Sequence, residues 1–386
     1  MSTEKGTSLF EQGRYDEAKS EFEKALKRNP NDAEAHNWLG RVALIQRRYE
    51  DAERAFRKAS ELVPAEPAYY YNVGLALEGL KQHGEAERAY RTALDVDKDY
   101  LWARKRLGGF LFNQKRYDEA KAEFERVLLL NRNDAEAHNE LGRIALIQQR
   151  YGDAEGAFRR ATELSPNEPA YHYNLGLALQ NLKRYPEAER EYRAALEINK
   201  DYSLAESALQ GLLSDQGRYD EAKAEFERAL SLKPNDANTY NELGRMALRH
   251  QRYEDAERAF RKASELVPTE PAYHHNLGLA LQGLRRYAEA EKEYRATLAL
   301  KRDFLLASGA LRALLSDQGR YDEAKAEFES ALALTPDDAD THNELGRVAL
   351  RHQRYEDAER AFRKASELVP TELAYHHRKA GVWPDY

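Results

Sequence analysis

Cysteine is absent from the 386 residues of this chain. Disulfides, thiolate metal sites and cysteine nucleophiles are thereby excluded, and the composition fits a reducing, cytoplasmic setting. Long apolar runs are missing as well. No stretch approaches the ~20 residues of a membrane-spanning helix, and the start Met1-Ser-Thr-Glu-Lys-Gly leads into no apolar signal core. No membrane insertion is expected. Proline and glycine never cluster into a linker, which argues against a string of separate globular domains, although the length would accommodate two or three. Basic residues do not dominate either: the net charge is −7, so no nucleic-acid partner is expected. What is plentiful is charge of both signs, 33% of the chain beside 42% apolar residues. That balance suits many thin amphipathic helices better than one thick core.

The chain repeats itself. Tyr15, Tyr49, Tyr117, Tyr151, Tyr185, Tyr219, Tyr253, Tyr287, Tyr321 and Tyr355 open similar segments 34 residues apart, and His83 fills the one missing step. A second period of 102 residues lies above the first, visible in the Tyr-Asp-Glu-Ala-Lys segments that begin at Tyr15, Tyr117, Tyr219 and Tyr321. Leu248–Glu270 and Leu350–Glu372 are identical. The unit that was copied is therefore a block of three repeats, by recent duplication or by design.

Each repeat reads as two helices. In the repeat spanning Ala135–Pro166, Asp134 is a good N-cap and Glu136 suits the first turn, where the helix dipole favours an acid. His138, Leu141, Gly142 and Ala145 recur at helical spacing. A turn is expected around Gln149-Arg150 and a second helix from near Gly152-Asp153, with Ala154, Phe158 and Ala161 as its inner stripe. Pro166 blocks continuation. Pro67, Pro169 and Pro271 fit the first position of a helix. Gly142 and Ala154 leave room where the two helices cross, and Phe158 fills it. Such a pair cannot bury its apolar face alone, so it must stack in an array.

The pattern Leu39-Gly40, Tyr49, Ala52, Phe56, Ala59, Pro64, repeated as Leu243-Gly244, Tyr253, Ala256, Phe260, Ala263, Pro268, is similar to the tetratricopeptide (TPR) family. The resemblance implies an all-α fold: a right-handed superhelical solenoid of about eleven helix-turn-helix units over residues 1–372. Residues 373–386 read as a partial half-repeat that is either a cap or a truncated tail. Departures are regular. Lys98, Lys200 and Arg302 replace the closing proline in every third repeat, and Leu209-Gln210 and Leu311-Arg312 replace Leu-Gly.

No Walker loop, His-Glu-x-x-His, calcium loop or Gly-x-Ser-x-Gly occurs. Most histidines, His36, His138, His172, His274 and His342 among them, share one first-helix slot, which points to packing rather than metal binding. No cofactor and no enzymatic activity are expected. The family resemblance implies a peptide groove lined by first helices, at Asn37, Arg41, Asn139, Arg143, Asn241, Arg245, Asn343 and Arg347, with Arg249 and Arg351 extending the row. Asn72, Asn174 and Asn276 stand one residue later in the intervening repeats. The Asn-Leu-Gly triplets are similar to the asparagine ladder of glycosyltransferase TPR arms. Amides can hold a peptide backbone and arginine forks a carboxylate. Equally, Glu140, Glu242 and Glu344 stand three residues before Arg143, Arg245 and Arg347, the spacing of ordinary helix ion pairs.

The expected function is a non-catalytic scaffold that takes an extended, acidic peptide or a partner helix. The alternative is the substrate-recognition arm of a larger enzyme such as a glycosyltransferase. Homo-oligomerisation is open. A compact globule of this length would have a radius of gyration of ~21 Å, and an extended array should exceed it clearly. Solution scattering that returned the compact value would overturn the array.

Overall fold

A computed structural model describes residues 2–370. Its regular structure is twenty-two α-helices, with no strand among the described residues. The first block holds α1 (Ser2–Glu11), α2 (Tyr15–Arg28), α3 (Ala33–Ile45), α4 (Tyr49–Leu62), α5 (Pro67–Gly79) and α6 (His83–Val96). The second holds α7 (Leu101–Asn113), α8 (Tyr117–Leu130), α9 (Ala135–Ile147), α10 (Tyr151–Leu164), α11 (Pro169–Asn181) and α12 (Tyr185–Ile198). The third holds α13 (Ser203–Asp215), α14 (Tyr219–Leu232), α15 (Ala237–Arg249), α16 (Tyr253–Leu266), α17 (Pro271–Gly283) and α18 (Tyr287–Leu300). The last holds α19 (Leu305–Asp317), α20 (Tyr321–Leu334), α21 (Ala339–Arg351) and α22 (Tyr355–Leu368). The half-repeat expected at 373–386 lies outside the described residues. The chain divides into two compact units, Met1–Ala205 and Glu206–Tyr386. Successive helices pack on one another from α1 to α12 and again from α14 to α22. First helices also touch the next first helix, as α3 meets α5, α9 meets α11 and α15 meets α17.

Local chemistry sets the helix ends. Asp32 and Asp134 accept from the backbone N–H of Ala35 and Ala137 at 3.0 and 2.9 Å, and Pro67, Pro169 and Pro271 each open a helix. α10 starts directly at Tyr151, one residue earlier than expected, after an arginine that caps nothing with its side chain, and α6 starts likewise at His83 after Gln82. The turn before a second helix carries one left-handed residue, such as Lys183 at φ 61°. Arg184 N–H then reaches back to the Leu179 carbonyl at 2.9 Å, a Schellman closure. The closing proline proves dispensable. α6, α12 and α18 lack it and have the same 14 residues as α4 and α10.

The core is built from one contact used over and over. Ala154, Phe158 and Ala161 are fully buried, and Phe158 lies against the bare backbone of Gly142. A Cβ placed on Gly142 would stand 2.6 Å from the ring. Gly40 with Phe56, Gly176 with Tyr192, Gly244 with Phe260 and Gly346 with Phe362 repeat the arrangement at 2.5 to 2.6 Å. Gln210 and Arg312 stand where this glycine is missing, opposite Phe226 and Phe328.

A chain of ion pairs runs along the second helices. Arg116 joins Glu87 of α6 to Glu119 of α8, both at 2.6 Å. Arg320 joins Glu291 of α18 to Glu323 of α20 in the same way. The arginine hydrogen bonds hold the carboxyls of Glu87 and Glu291 below their ordinary value of 4.5.

Two predictions follow from this packing. Gly142→Ala should destabilise the protein by about 1–3 kcal/mol through overpacking. Gly156→Ala on α10, where a Cβ meets nothing within 4 Å, should instead stabilise it by roughly 0.5–1 kcal/mol. Denaturant unfolding compares the two, and equal signs would refute the packing argument. The second concerns acid. Carboxyls depressed in the folded state stabilise it fully above the unfolded value and lose that contribution as pH falls through the folded one. The contribution of these carboxyls should therefore be constant from neutrality to about pH 5 and fall below about pH 4.5, so stability should drop there, less steeply in Arg320→Ala. Melting curves from pH 7 to 3 test this, and a slope unchanged in the variant would count against the ion-pair chain.

Candidate functional site

The predicted asparagines do come together, but with one another. Asn72 Nδ2 donates to Asn37 Oδ1 at 2.8 Å, Asn174 to Asn139 at 2.8 Å, and Asn276 to Asn241 at 2.9 Å. Each pair ties the first helices of two successive repeats. Asn139 is buried and spends its own amide N–H on Glu140 at 3.0 Å, and Asn241 does so on Glu242 at 3.2 Å. Asn343 occupies the same place on α21. Each pair uses one amide donor and one amide oxygen, so a ladder would draw on the donors and acceptors that remain.

The arginine row is not uniform. Arg41 lies over the rings of Trp38 and Phe10, at 4.1 and 5.1 Å, and burial pushes its pKa down. Arg143 pairs with Glu140 at 2.8 Å and covers Phe112 at 4.4 Å. Arg245 is exposed and meets Glu242 at 2.9 Å. Arg249 and Arg351 reach back to Asp215 and Asp317, at 3.5 and 3.0 Å. Arg347 is exposed and makes no ion pair among the described residues. The i, i+3 spacing thus yields two of the three expected pairs. Glu344 faces Arg312 instead, at 3.6 Å.

The histidine slot is structural. His36, His138, His172, His274 and His342 each bond through Nε2 to the carbonyl six residues earlier, at 2.9 to 3.1 Å. They pin the inter-repeat loop to the helix that follows it. His172 also meets Glu191 at 2.8 Å, and that hydrogen bond raises its pKa.

Two cavities open beside first helices that begin a block. A cavity of about 320 Å³ beside α7 and α9 is lined by Tyr71, Trp102, Phe112, Phe124, Glu140 and Arg143, among others. A second, of about 600 Å³, beside α19 and α21 is lined by Leu305, Leu306, Arg312, Phe328, Glu344 and Arg347, among others. The two correspond. Trp102 and Leu306, Phe124 and Phe328, Glu140 and Glu344, and Arg143 and Arg347 are each two blocks apart. Sequence reasoning missed the apolar members. Trp102 is 66% exposed, Leu305 68% and Leu306 69%. An apolar residue in the first turn of every third first helix was the available signal. In the α7 cavity the cations are balanced: Lys105 meets Asp134 at 3.1 Å and also Glu136, and Arg106 meets Glu78. Among the described residues no three histidine, aspartate or glutamate side chains gather as metal ligands, and no helix is long and apolar enough to cross a membrane.

Family comparison agrees with the helical repeat. A tetratricopeptide repeat model matches residues 3–67, 46–100, 110–169, 148–203, 212–271 and 313–372, and a second covers 275–303. Among curated proteins none matches. Solved structures similar to the chain include Pseudomonas aeruginosa PilF, 22% identical, with 52% of this chain and 92% of that one covered and a TM-score of 0.46. Yeast Tom70 is 17% identical, with 98% and 93% covered and a TM-score of 0.38. YrrB, described as a TPR protein with an unusual peptide-binding site, is 18% identical, with 58% and 98% covered and a TM-score of 0.36. With twenty-two helices in the 34-residue rhythm and family matches along nearly its whole length, this chain is an all-α solenoid that belongs to the tetratricopeptide repeat family.

Proposed function

We propose that this chain is a non-catalytic scaffold whose first-helix wall holds an extended, acidic segment of a partner protein. The observation that carries the reading is the recurrence of the cavities. At equivalent places in two blocks the wall recedes, and a large apolar side chain stands exposed beside an arginine. Large exposed apolar residues rimmed by polar ones mark interaction surfaces. Aromatic and arginine side chains are the usual anchors of such surfaces. The arginines favour an acidic ligand, and the asparagine pairs keep successive first helices at fixed spacing beneath it.

The test is fluorescence anisotropy with acidic peptides that carry leucine or phenylalanine. Trp102→Ala with Leu306→Ala should leave the fold intact, since exposed changes usually alter stability by within about 0.5 kcal/mol. Burying such a side chain contributes about 1.5–3 kcal/mol, so affinity should fall at least about tenfold. Added salt should weaken binding, because exposed charges are screened beyond ~8–10 Å. Arg54→Ala serves as control. Arg54 is a second-helix residue whose side chain is 77% exposed and paired with Asp51, and it should change nothing. A folded double variant that binds like wild type would move the binding surface off this wall.

A further inference from the structure

The cavity beside α19 and α21 is lined by a residue that departs from the repeat. In most repeats a glycine lets the second-helix ring settle on the first helix. At that place α19 carries Arg312, and α19 and α20 pack less closely than the glycine-bearing pairs. The arginine is not extruded. Its side chain is 10% exposed, and its guanidinium lies 4.4 Å over the Phe328 ring. Charge compensation is thin. The nearest carboxylate is Glu344 Oε2 at 3.6 Å from Nη2, on a side chain that is 57% exposed. Nε and Nη1 have no hydrogen-bond partner. A guanidinium has five N–H donors, and leaving a buried cation so poorly met is costly. Burial alone depresses the Arg312 pKa. Nearby, Arg351 is occupied by Asp317 at 3.0 Å, whereas Arg347 lines the same cavity without an ion pair among the described residues. The cavity therefore carries an excess of positive charge beside the apolar walls of Leu305, Leu306 and Phe328.

We infer that this cavity is a specific subsite for an acidic side chain of a bound peptide, with Arg312 and Arg347 receiving the carboxylate and Leu305 and Leu306 the large apolar residue next to it. The inference rests on the first-helix wall being the peptide-binding face. Glu344 then acts as the internal stand-in for the ligand's carboxylate, and the incoming acid displaces it from Arg312. The α7 cavity, with glycine at the corresponding Gly108 and its cations already paired, lacks this feature. The two cavities therefore differ in what they select.

Titration of the full chain with N-acetylated, C-amidated Glu-Leu and Asp-Phe peptides, followed by anisotropy, tests the assignment. Arg312→Gly restores the glycine of the other repeats, so it should raise the melting temperature while weakening peptide binding at least about tenfold. Glu344→Gln removes the competing carboxylate and should tighten binding severalfold, which a purely structural ion pair would not do. Replacing the peptide's glutamate by glutamine should abolish the difference between wild type and Arg312→Gly. If Trp102→Ala weakens binding but Arg312→Gly does not, the wall binds peptides and this subsite is wrong. If only peptides with a free C-terminus bind, the ligand is a chain end and the side-chain assignment is wrong. If no peptide binds wild type, the scaffold reading beneath it fails as well.

Discussion

An aromatic ring resting on bare helix backbone is the contact on which this protein depends. Phe158 on Gly142 and Tyr192 on Gly176 are two instances of it. The contact brings the two helices of a repeat close enough for the alanines beside the ring to be buried completely. Interiors packed to crystal density tolerate little volume change, so a single methyl group at the glycine must displace the ring or the helix. Everything else in the repeat, including the aspartate caps, the left-handed turn residue and the histidine bond to the preceding loop, delivers the ring to that spot.

The block of three adds a layer that one repeat lacks. Asparagine pairs join the first helices of its second and third members, and arginine-centred ion pairs join second helices on the other side. The two systems differ physically. The amide pairs are neutral and half-buried, so neither salt nor pH disturbs them much. The ion pairs are partly exposed, individually weak, and sensitive to protonation. The asparagine wall is thus the more constant of the two surfaces.

Most of the fold was legible because its signal is repeated eleven times. Tyrosine spacing, Leu-Gly and the Ala-Phe-Ala stripe each point to the same two helices, and agreement among such cues is what makes a sequence readable. The departures noted at Lys98, Lys200 and Arg302 leave the helices unchanged in length, since α6, α12 and α18 stop without the closing proline. The site was legible only in part. Sequence placed Asn37, Arg41 and their equivalents on one face, but pairing across 35 residues depends on how far one first helix stands from the next, and no single helix encodes that distance. Trp102 and Leu306 escaped because apolar residues in a helical pattern are read as core by default. Arg312 was visible as a departure from Leu-Gly. That it would stay inside, against Phe328, depends on the ring having no glycine to settle on.

A repeat protein separates architecture from selectivity by where it breaks its own period. Residues that recur in every block, such as the capping aspartates, the slot histidines and the paired asparagines, find partners within the chain. A group already satisfied gains little from a ligand, because binding it exchanges one hydrogen bond for another. Two residues that break the 34-residue period, Trp102 and Arg312, are left poorly met. Trp102 has solvent where its neighbours have protein, and Arg312 has a distant carboxylate where a buried guanidinium needs close acceptors. Free energy is available for binding at such unmet groups. Both stand in a first helix that opens a block, six positions apart in the 102-residue period. Of these helices, α19 packs less closely on its second helix than the glycine-bearing pairs do, so a substitution there disturbs less packing.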